Sequence, residues 1–263
     1  MIHPIPTIYQ ETPVWHSSAL DKRLQRFVGF KMDCFQPSRS FKLRGMAHLC
    51  RTHAAQGQRS FIASSGGNAG YSLAYAGQVL GVNVKVIVPE TTPRLMVDRI
   101  RSLGAQVQVH GAAWDEADAL ARAEAEEQGA VYVSPFDDAL LWEGHATMMD
   151  ECARQMRKPD LIVVAVGGGG LLCGVLQGMA RNDWGDVKVL TAETEGAASF
   201  AAALEAGEVV TLPAITSVAS SLGAKAVSKT VLAKAKQFNV ASYVCSDEDT
   251  FRGIKAFSDD FNV

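Results

Sequence analysis

From about residue 60 onward, short apolar runs alternate with longer amphipathic stretches, the pattern of βαβ units laid around parallel sheets. Phe61-Ile62-Ala63-Ser64 reads as a strand, and Asn68 to Leu80, rich in Ala, Gly and Ser, as a helix able to pack closely. Val84 to Val88 is a second strand, ended by Pro89. Arg94 to Leu103 forms a helix with Leu95, Ile100 and Leu103 near one face; Gly104 closes it, and Val107-Gln108-Val109 alternates as a strand should. Ala112 to Gln128 follows as a helix with an acidic, solvated face, then Val131-Tyr132-Val133 as a strand. Loop punctuation bounds a small αβ domain at about residues 36 and 137.

The second half repeats the style. Leu161 to Val166 is continuously apolar, as a strand covered on both faces must be, and runs straight into four glycines and the helix Leu171 to Ala180. Val187 to Leu190 is another strand, delivering Glu193 to the carboxyl edge of the sheet, where ligands bind in open α/β folds. With no internal repeat, low-complexity tract or flexible linker, the predicted class is α/β. Two open, twisted, mostly parallel-sheet lobes carry helices on both faces, with an active site expected in the cleft between them; the larger lobe is residues 1–35 and 138–263.

Composition narrows the function classes. A chain of 263 residues, 48% hydrophobic and 20% charged, suits one large α/β domain or two lobes. Its formal charge of -3 gives no electrostatic reason to expect nucleic acid or an anionic membrane as partner. The five cysteines (Cys34, Cys50, Cys152, Cys173, Cys245) form no C-x-x-C pair, so reduced thiols in the cytoplasm are expected. No secretory leader or membrane span is read in the chain.

Three separated segments carry the candidate chemistry. Ser40-Phe41-Lys42-Leu43-Arg44-Gly45 offers an amine that can hold an aldehyde, although a lysine beside Leu and Arg is ordinarily solvated surface. Ser64 to Gly70 is a polar turn at a helix start: either Asn68 simply caps the helix, or the Ser65 hydroxyl and free N–H groups grip a substrate carboxylate. Gly167, Gly168, Gly169 and Gly170 lose backbone entropy and pack nothing, and what they gain is close approach of N–H groups to an anion at a helix N-terminus. A dinucleotide fingerprint fails, because Leu172 or Cys173 falls where its last glycine belongs, and no Gly-Lys-Ser/Thr completes a P-loop. The phosphate of a smaller cofactor fits better. The histidines show no metal spacing and read as surface or core polar residues; His145, in Trp142-Glu143-Gly144-His145, is the one that stands apart. Glu193 after its apolar strand needs a partner if buried, either a bound cation or a hydrogen-bonded turn.

In this order, the segments resemble those of the serine/threonine dehydratase family of pyridoxal phosphate enzymes of fold type II. Ser40 to Gly45 is similar to the family's lysine motif, Ser65-Gly66-Gly67-Asn68 to its serine-x-glycine-asparagine loop, and Gly167 to Gly174 to its phosphate cup. Leu141 to Ala146, Glu193-Thr194 and Ile215 to Ala219 extend the likeness over nearly the whole chain. The resemblance implies that Lys42 carries pyridoxal 5'-phosphate as a Schiff base, with Phe41 on one face of the ring and Ser221 on the other. It implies that Asn68 meets the ring hydroxyl, that Gly167 to Gly170 hold the phosphate, and that Ser64, Ser65, Gly66, Gly67 and Ala69 hold an amino-acid substrate. Glu193, the hydroxyl of Ser199 and carbonyls at Ala197, Leu222 and Ala224 would hold a monovalent cation, potassium. A homodimer is the implied assembly.

Two departures from the family pattern are expected to matter. Gly66 stands where a small side chain such as Ala is common, loosening the grip on substrate. The family also continues beyond the length of this chain into a segment whose Ser or Cys bonds the pyridine nitrogen, a role that Cys245 in Val244-Cys245-Ser246-Asp247 does not match. The implied activity is α,β-elimination of L-serine to pyruvate and ammonia, and of L-threonine to 2-oxobutanoate, with Lys42 removing the Cα proton. The alternatives are a racemase or a β-replacing synthase of the same fold, or a shortened, non-catalytic binding form.

Overall fold

The computed structural model describes residues 8–262. They divide into two units, 8–10 with Asp33–His145, and Glu11–Met32 with 146–262. In chain order the second unit begins first, with β1 (Val14–His16), α1 (Ser18–Leu24) and β2 (Gly29–Lys31). The two strands form an antiparallel ribbon with Trp15 opposite Phe30. Ser17 caps α1, its hydroxyl accepting the Leu20 N–H.

The first unit holds α2 (Lys42–Ala55), β3 (Ser60–Ala63), α3 (Asn68–Leu80), β4 (Asn83–Val88), α4 (Arg94–Ser102), β5 (Gln106–Val109), α5 (Trp114–Gln128) and β6 (Val131–Val133). The residues of α6 (Ala139–Gln155) are shared, up to His145 in this unit and from Ala146 in the other. Its sheet is parallel throughout, in the order β5-β4-β3-β6. Ile62 and Ile87 pack against Ala117, Ala121 and Ala125, a stripe of small residues at helical spacing that brings α5 close to the strands. Leu95, expected on the buried face of α4, is 62% exposed, while Val97 and Ile100 are buried. Residues 97 and 100 share a face, and two positions along a helix is a rotation of about 200°, which turns Leu95 to solvent.

The second unit continues with β7 (Leu161–Ala165), α7 (Gly170–Arg181), β8 (Lys188–Thr194), α8 (Ser199–Ala206), α9 (Lys229–Ala235), β9 (Val240–Cys245) and α10 (Asp247–Phe261). Its sheet is parallel in the order β7-β8-β9. Ser246 and Asp249 form a reciprocal capping box on α10. At the far end of α10, Phe257 and Phe261 meet Phe30 edge-on at 5.3 and 5.5 Å between centroids. The expectation that β7 is covered on both faces does not hold: Leu161 and Val163 are 47% and 62% exposed. They alternate with inward residues on an edge strand, and the register puts Leu190, then Ala192 and Tyr243, on the same open face. Among the described residues no helix is long and apolar enough to cross a membrane.

Candidate active site

Lys42 is the first residue of α2. Its Nζ donates to the Pro135 carbonyl at 2.5 Å and lies 5.2 Å from the Phe41 ring centroid. No carboxylate pairs with it among the described residues, and burial of the amine lowers its pKa to about 8. The positive end of the α2 dipole adds to that effect, since an ammonium at a helix N-terminus faces like charge. The neighbouring cation is fixed elsewhere: buried Arg44 makes a two-pronged pair with Asp33, Nε to Oδ2 and Nη2 to Oδ1, both at 2.8 Å.

The serine-glycine loop joins β3 to α3. Ser64 is fully buried, and its hydroxyl donates to Asp118 Oδ1 at 2.5 Å. Tyr132 donates to the same oxygen at 2.5 Å, and Arg122 Nε reaches Oδ2 at 2.8 Å. Ser64 therefore fixes the end of the strand, while Ser65, whose Oγ accepts a long bond of 3.4 Å from Gly67 N–H, is only partly buried. Asn68 is not the cap expected of the simpler reading. That position belongs to Gly67, which has no capping side chain, and exposed Asn68 is the first helical residue. Without a capping side chain the opening N–H groups of α3, at Asn68 and Ala69, can take an anion. Gly70 is obligatory, because a Cβ there would lie 1.9 Å from the Ser65 carbonyl. At Gly66 a Cβ would stand 2.5 Å from Thr92 Cγ2 and 2.8 Å from its Oγ1, so Thr92 fills the space a side chain would take.

His145 is fully buried in the same unit, edge-on to Phe41 at 5.0 Å between centroids and 69° between planes. Neither ring nitrogen has a hydrogen-bond partner among the described residues. Burial above all, then the charges of Lys42 and Arg44, holds its pKa well below the usual imidazole value, so the ring is neutral.

In the second unit, β7 leads through Gly167 and Gly168 to Gly169, which precedes the first residue of α7 at φ +96, a left-handed conformation suited to glycine. A Cβ on Gly169 would meet Val231 Cγ1 at 2.5 Å, and one on Gly167 would come within 3.2 Å of the Leu222 backbone. Gly168 to Gly170 are buried, no side chain among the described residues caps the helix, and Ser228 N–H holds the turn through the Gly168 carbonyl at 3.1 Å. Uncapped N–H groups in a cradle where side chains do not fit suit the phosphate of a small cofactor. Ser221 lies exposed in the short turn Ser220–Leu222, whose Leu222 abuts Gly167.

Glu193 lies near the end of β8 with its carboxylate almost fully buried. Oε1 accepts Phe200 N–H at 2.8 Å and Oε2 accepts Ala201 N–H at 2.7 Å, so this strand residue caps α8, whose own N-cap Ala198 cannot. Burial raises its pKa, and the two N–H bonds oppose the rise. Ser199 Oγ is buried without a hydrogen-bond partner among the described residues. Ala197 is buried, and the Leu222 carbonyl already accepts Ala224 N–H at 2.8 Å. Sequence reasoning passed over Asp118, Tyr132 and Thr92. Asp118 looks like one more acid on a charged helix, and only the fold turns it inward.

The chain matches the family described as pyridoxal-phosphate dependent enzyme over residues 5–263. It is 47% identical to the human L-serine dehydratase/L-threonine deaminase over 258 residues, 97% of this chain and 79% of that protein. Among solved structures it superposes on the L-serine ammonia-lyase of the fungus Rhizomucor miehei with a TM-score of 0.91 and 34% identity, covering 98% of this chain and 83% of the other. The maize serine racemase gives a TM-score of 0.90 at 25% identity, over 97% and 77% of the two chains. An uncapped glycine cradle for a phosphate and a desolvated lysine amine for an aldehyde are what such a cofactor needs, and with the family match they place this chain among the pyridoxal-phosphate dependent enzymes.

Proposed function

We propose that this chain eliminates water from L-serine and L-threonine, giving pyruvate or 2-oxobutanoate with ammonia. The names of its human and fungal relatives support this, and the observation that carries it is the Lys42 amine, partly neutral near pH 8 and without a carboxylate partner among the described residues. When bound, the cofactor supplies an electron sink that takes up the pair left at Cα. Lys42 Nζ would hold the cofactor's aldehyde carbon, and its free amine would be the base that takes the Cα proton. The Ser65 hydroxyl and the first N–H groups of α3 hold the substrate carboxylate, Asn68 the ring hydroxyl, and Gly167 to Gly170 the phosphate. Phe41 and Ser221 are the residues we assign to the cofactor ring's two faces, on the family resemblance.

Purified protein supplied with the cofactor should form pyruvate from L-serine, and Lys42→Ala should abolish it while remaining folded. Wild-type turnover in that variant would sink the reading. The likeness to a serine racemase favours a second reading, separated by the product: D-serine in place of pyruvate.

The finer points of the proposal are a potassium ion, a homodimer and a cytoplasmic setting. The buried Ser199 hydroxyl at the start of α8, without a hydrogen-bond partner among the described residues, supports the ion; Glu193 and the carbonyls of Ala197, Leu222 and Ala224 are the other proposed ligands. If the ion binds, activity rises when sodium is exchanged for potassium and Glu193→Gln blunts the rise. Equal rates in both salts would leave Glu193 with its capping role alone. Light scattering tests the dimer.

A further inference from the structure

The crossing of α2 with the start of α6 is written in missing side chains. A Cβ on Gly144 would fall 2.4 Å from the Arg44 carbonyl and 2.7 Å from Gly45 Cα, and one on Gly45 would fall 2.8 Å from the Leu141 carbonyl. The two backbones therefore touch, and the contact seats the His145 ring directly over Gly45, where a Cβ would meet Cε1 at 2.5 Å and Nε2 at 2.8 Å. From that seat the imidazole presses edge-on against Phe41, the residue before Lys42. Such a ring is poorly placed for stability, because a buried polar atom without a hydrogen bond loses its water and gains nothing in return. An apolar side chain of similar size would fill the same space without that loss.

We propose that His145 is a positioning residue, a ring held by the Gly45–Gly144 crossing that sets the tilt of Phe41 and, through it, the seat of the cofactor ring beside Lys42. It acts through Phe41 and touches no reacting atom. The inference rests on the assignment of Phe41 to one face of the cofactor, and is independent of which product is made.

The test uses His145→Leu and His145→Gln in the full chain. Urea unfolding of the cofactor-free protein is measured together with pyridoxal phosphate affinity and the visible circular dichroism of the bound cofactor. For His145→Leu the unfolding midpoint is expected to stay level or rise, while affinity falls about tenfold and the dichroic band changes. His145→Gln, neutral and polar but without a ring to meet Phe41, is expected to lose affinity and change the band as the leucine variant does, and wild-type affinity and dichroism in this variant would also overturn the proposal. A leucine variant that loses midpoint and affinity in proportion would make His145 ordinary core and overturn the proposal. So would one that keeps wild-type affinity and dichroism. Cofactor binding by a wild-type protein that forms no pyruvate would sink the dehydratase reading and leave this comparison intact.

Discussion

Ser64 and Asp118 are joined by a buried hydrogen bond of 2.5 Å that ties the end of β3 to α5, just before the loop that precedes α3. Asp118 also takes Tyr132 OH and Arg122 Nε, so a single carboxylate fixes three elements of chain. Asp118→Ala leaves two hydroxyls short of an acceptor and should destabilise the protein by about 2 to 5 kcal/mol, whereas Ser64→Ala should cost about 1 kcal/mol. Urea unfolding of both variants measures the difference. At temperatures where Ser64→Ala is folded, its KM for serine should rise more than its kcat falls. An unchanged KM would detach the buried serine from the substrate loop.

The lowered pKa of Lys42 predicts a pH window of definite sign. Between about 8 and the ordinary lysine value of 10.5 the unfolded chain holds a proton that the folded chain has released. Unfolding free energy therefore rises with pH across that interval, and below about 8 the penalty of the buried ammonium is fully present. Lys42→Met should remove that slope. Labelling of the cofactor-free protein with an acylating reagent should show a Lys42 midpoint near 8, and a midpoint near 10.5 would contradict the desolvated site.

Gly169 adopts φ +96 against Val231, so its replacement strains the backbone as well as filling space. Gly169→Ala should lose about 1 to 2 kcal/mol of stability from the left-handed conformation alone, with a further loss from the contact. Gly167→Ala, without positive φ and with its nearest neighbour at 3.2 Å, should fold almost normally and weaken cofactor binding. Titration with pyridoxal phosphate separates the two effects. If Gly167→Ala binds as tightly as wild type, the phosphate is held elsewhere.

Gly66 and Thr92 compete for one space. Gly66→Ala alone should displace Thr92 and disturb the loop, and Thr92→Ala should relieve it, so the double variant should be more active than the Gly66 single. A coupling energy of about 0.5 to 3 kcal/mol in kcat/KM is expected from side chains in direct contact. Additive effects would mean that the threonine turns aside freely.

The alternation of apolar runs with amphipathic stretches was enough to place the βαβ units, because a buried parallel strand and a packed helix leave different periods in the chain. Asn68 to Leu80 is helical as read, and the glycine turn sits between β7 and α7 as expected. The lysine, serine-glycine and tetraglycine segments were legible because each needs an unusual residue at a fixed place. What escaped were the elements outside those alternating runs, among them α2, α6, β9 and α10, and side-chain direction. Nothing in the order of residues shows that Asp118 turns inward, that Glu193 caps a helix from a neighbouring strand, or that Leu95 faces water. Those facts depend on which elements meet, and a helix seen alone does not carry them.

The open face of the second unit's sheet has a practical outcome for anyone working with the purified chain. Leu161, Val163 and Tyr243 present contiguous rows of apolar surface to solvent, next to an edge strand whose outer hydrogen-bonding groups face no neighbouring strand among the described residues. Surfaces of that kind attract dyes, detergents and one another. These strand residues, remote in sequence from Lys42, are expected to contribute to self-association at high concentration or in lyotropic salts. A charged residue at Val163 is the simplest way to reduce it.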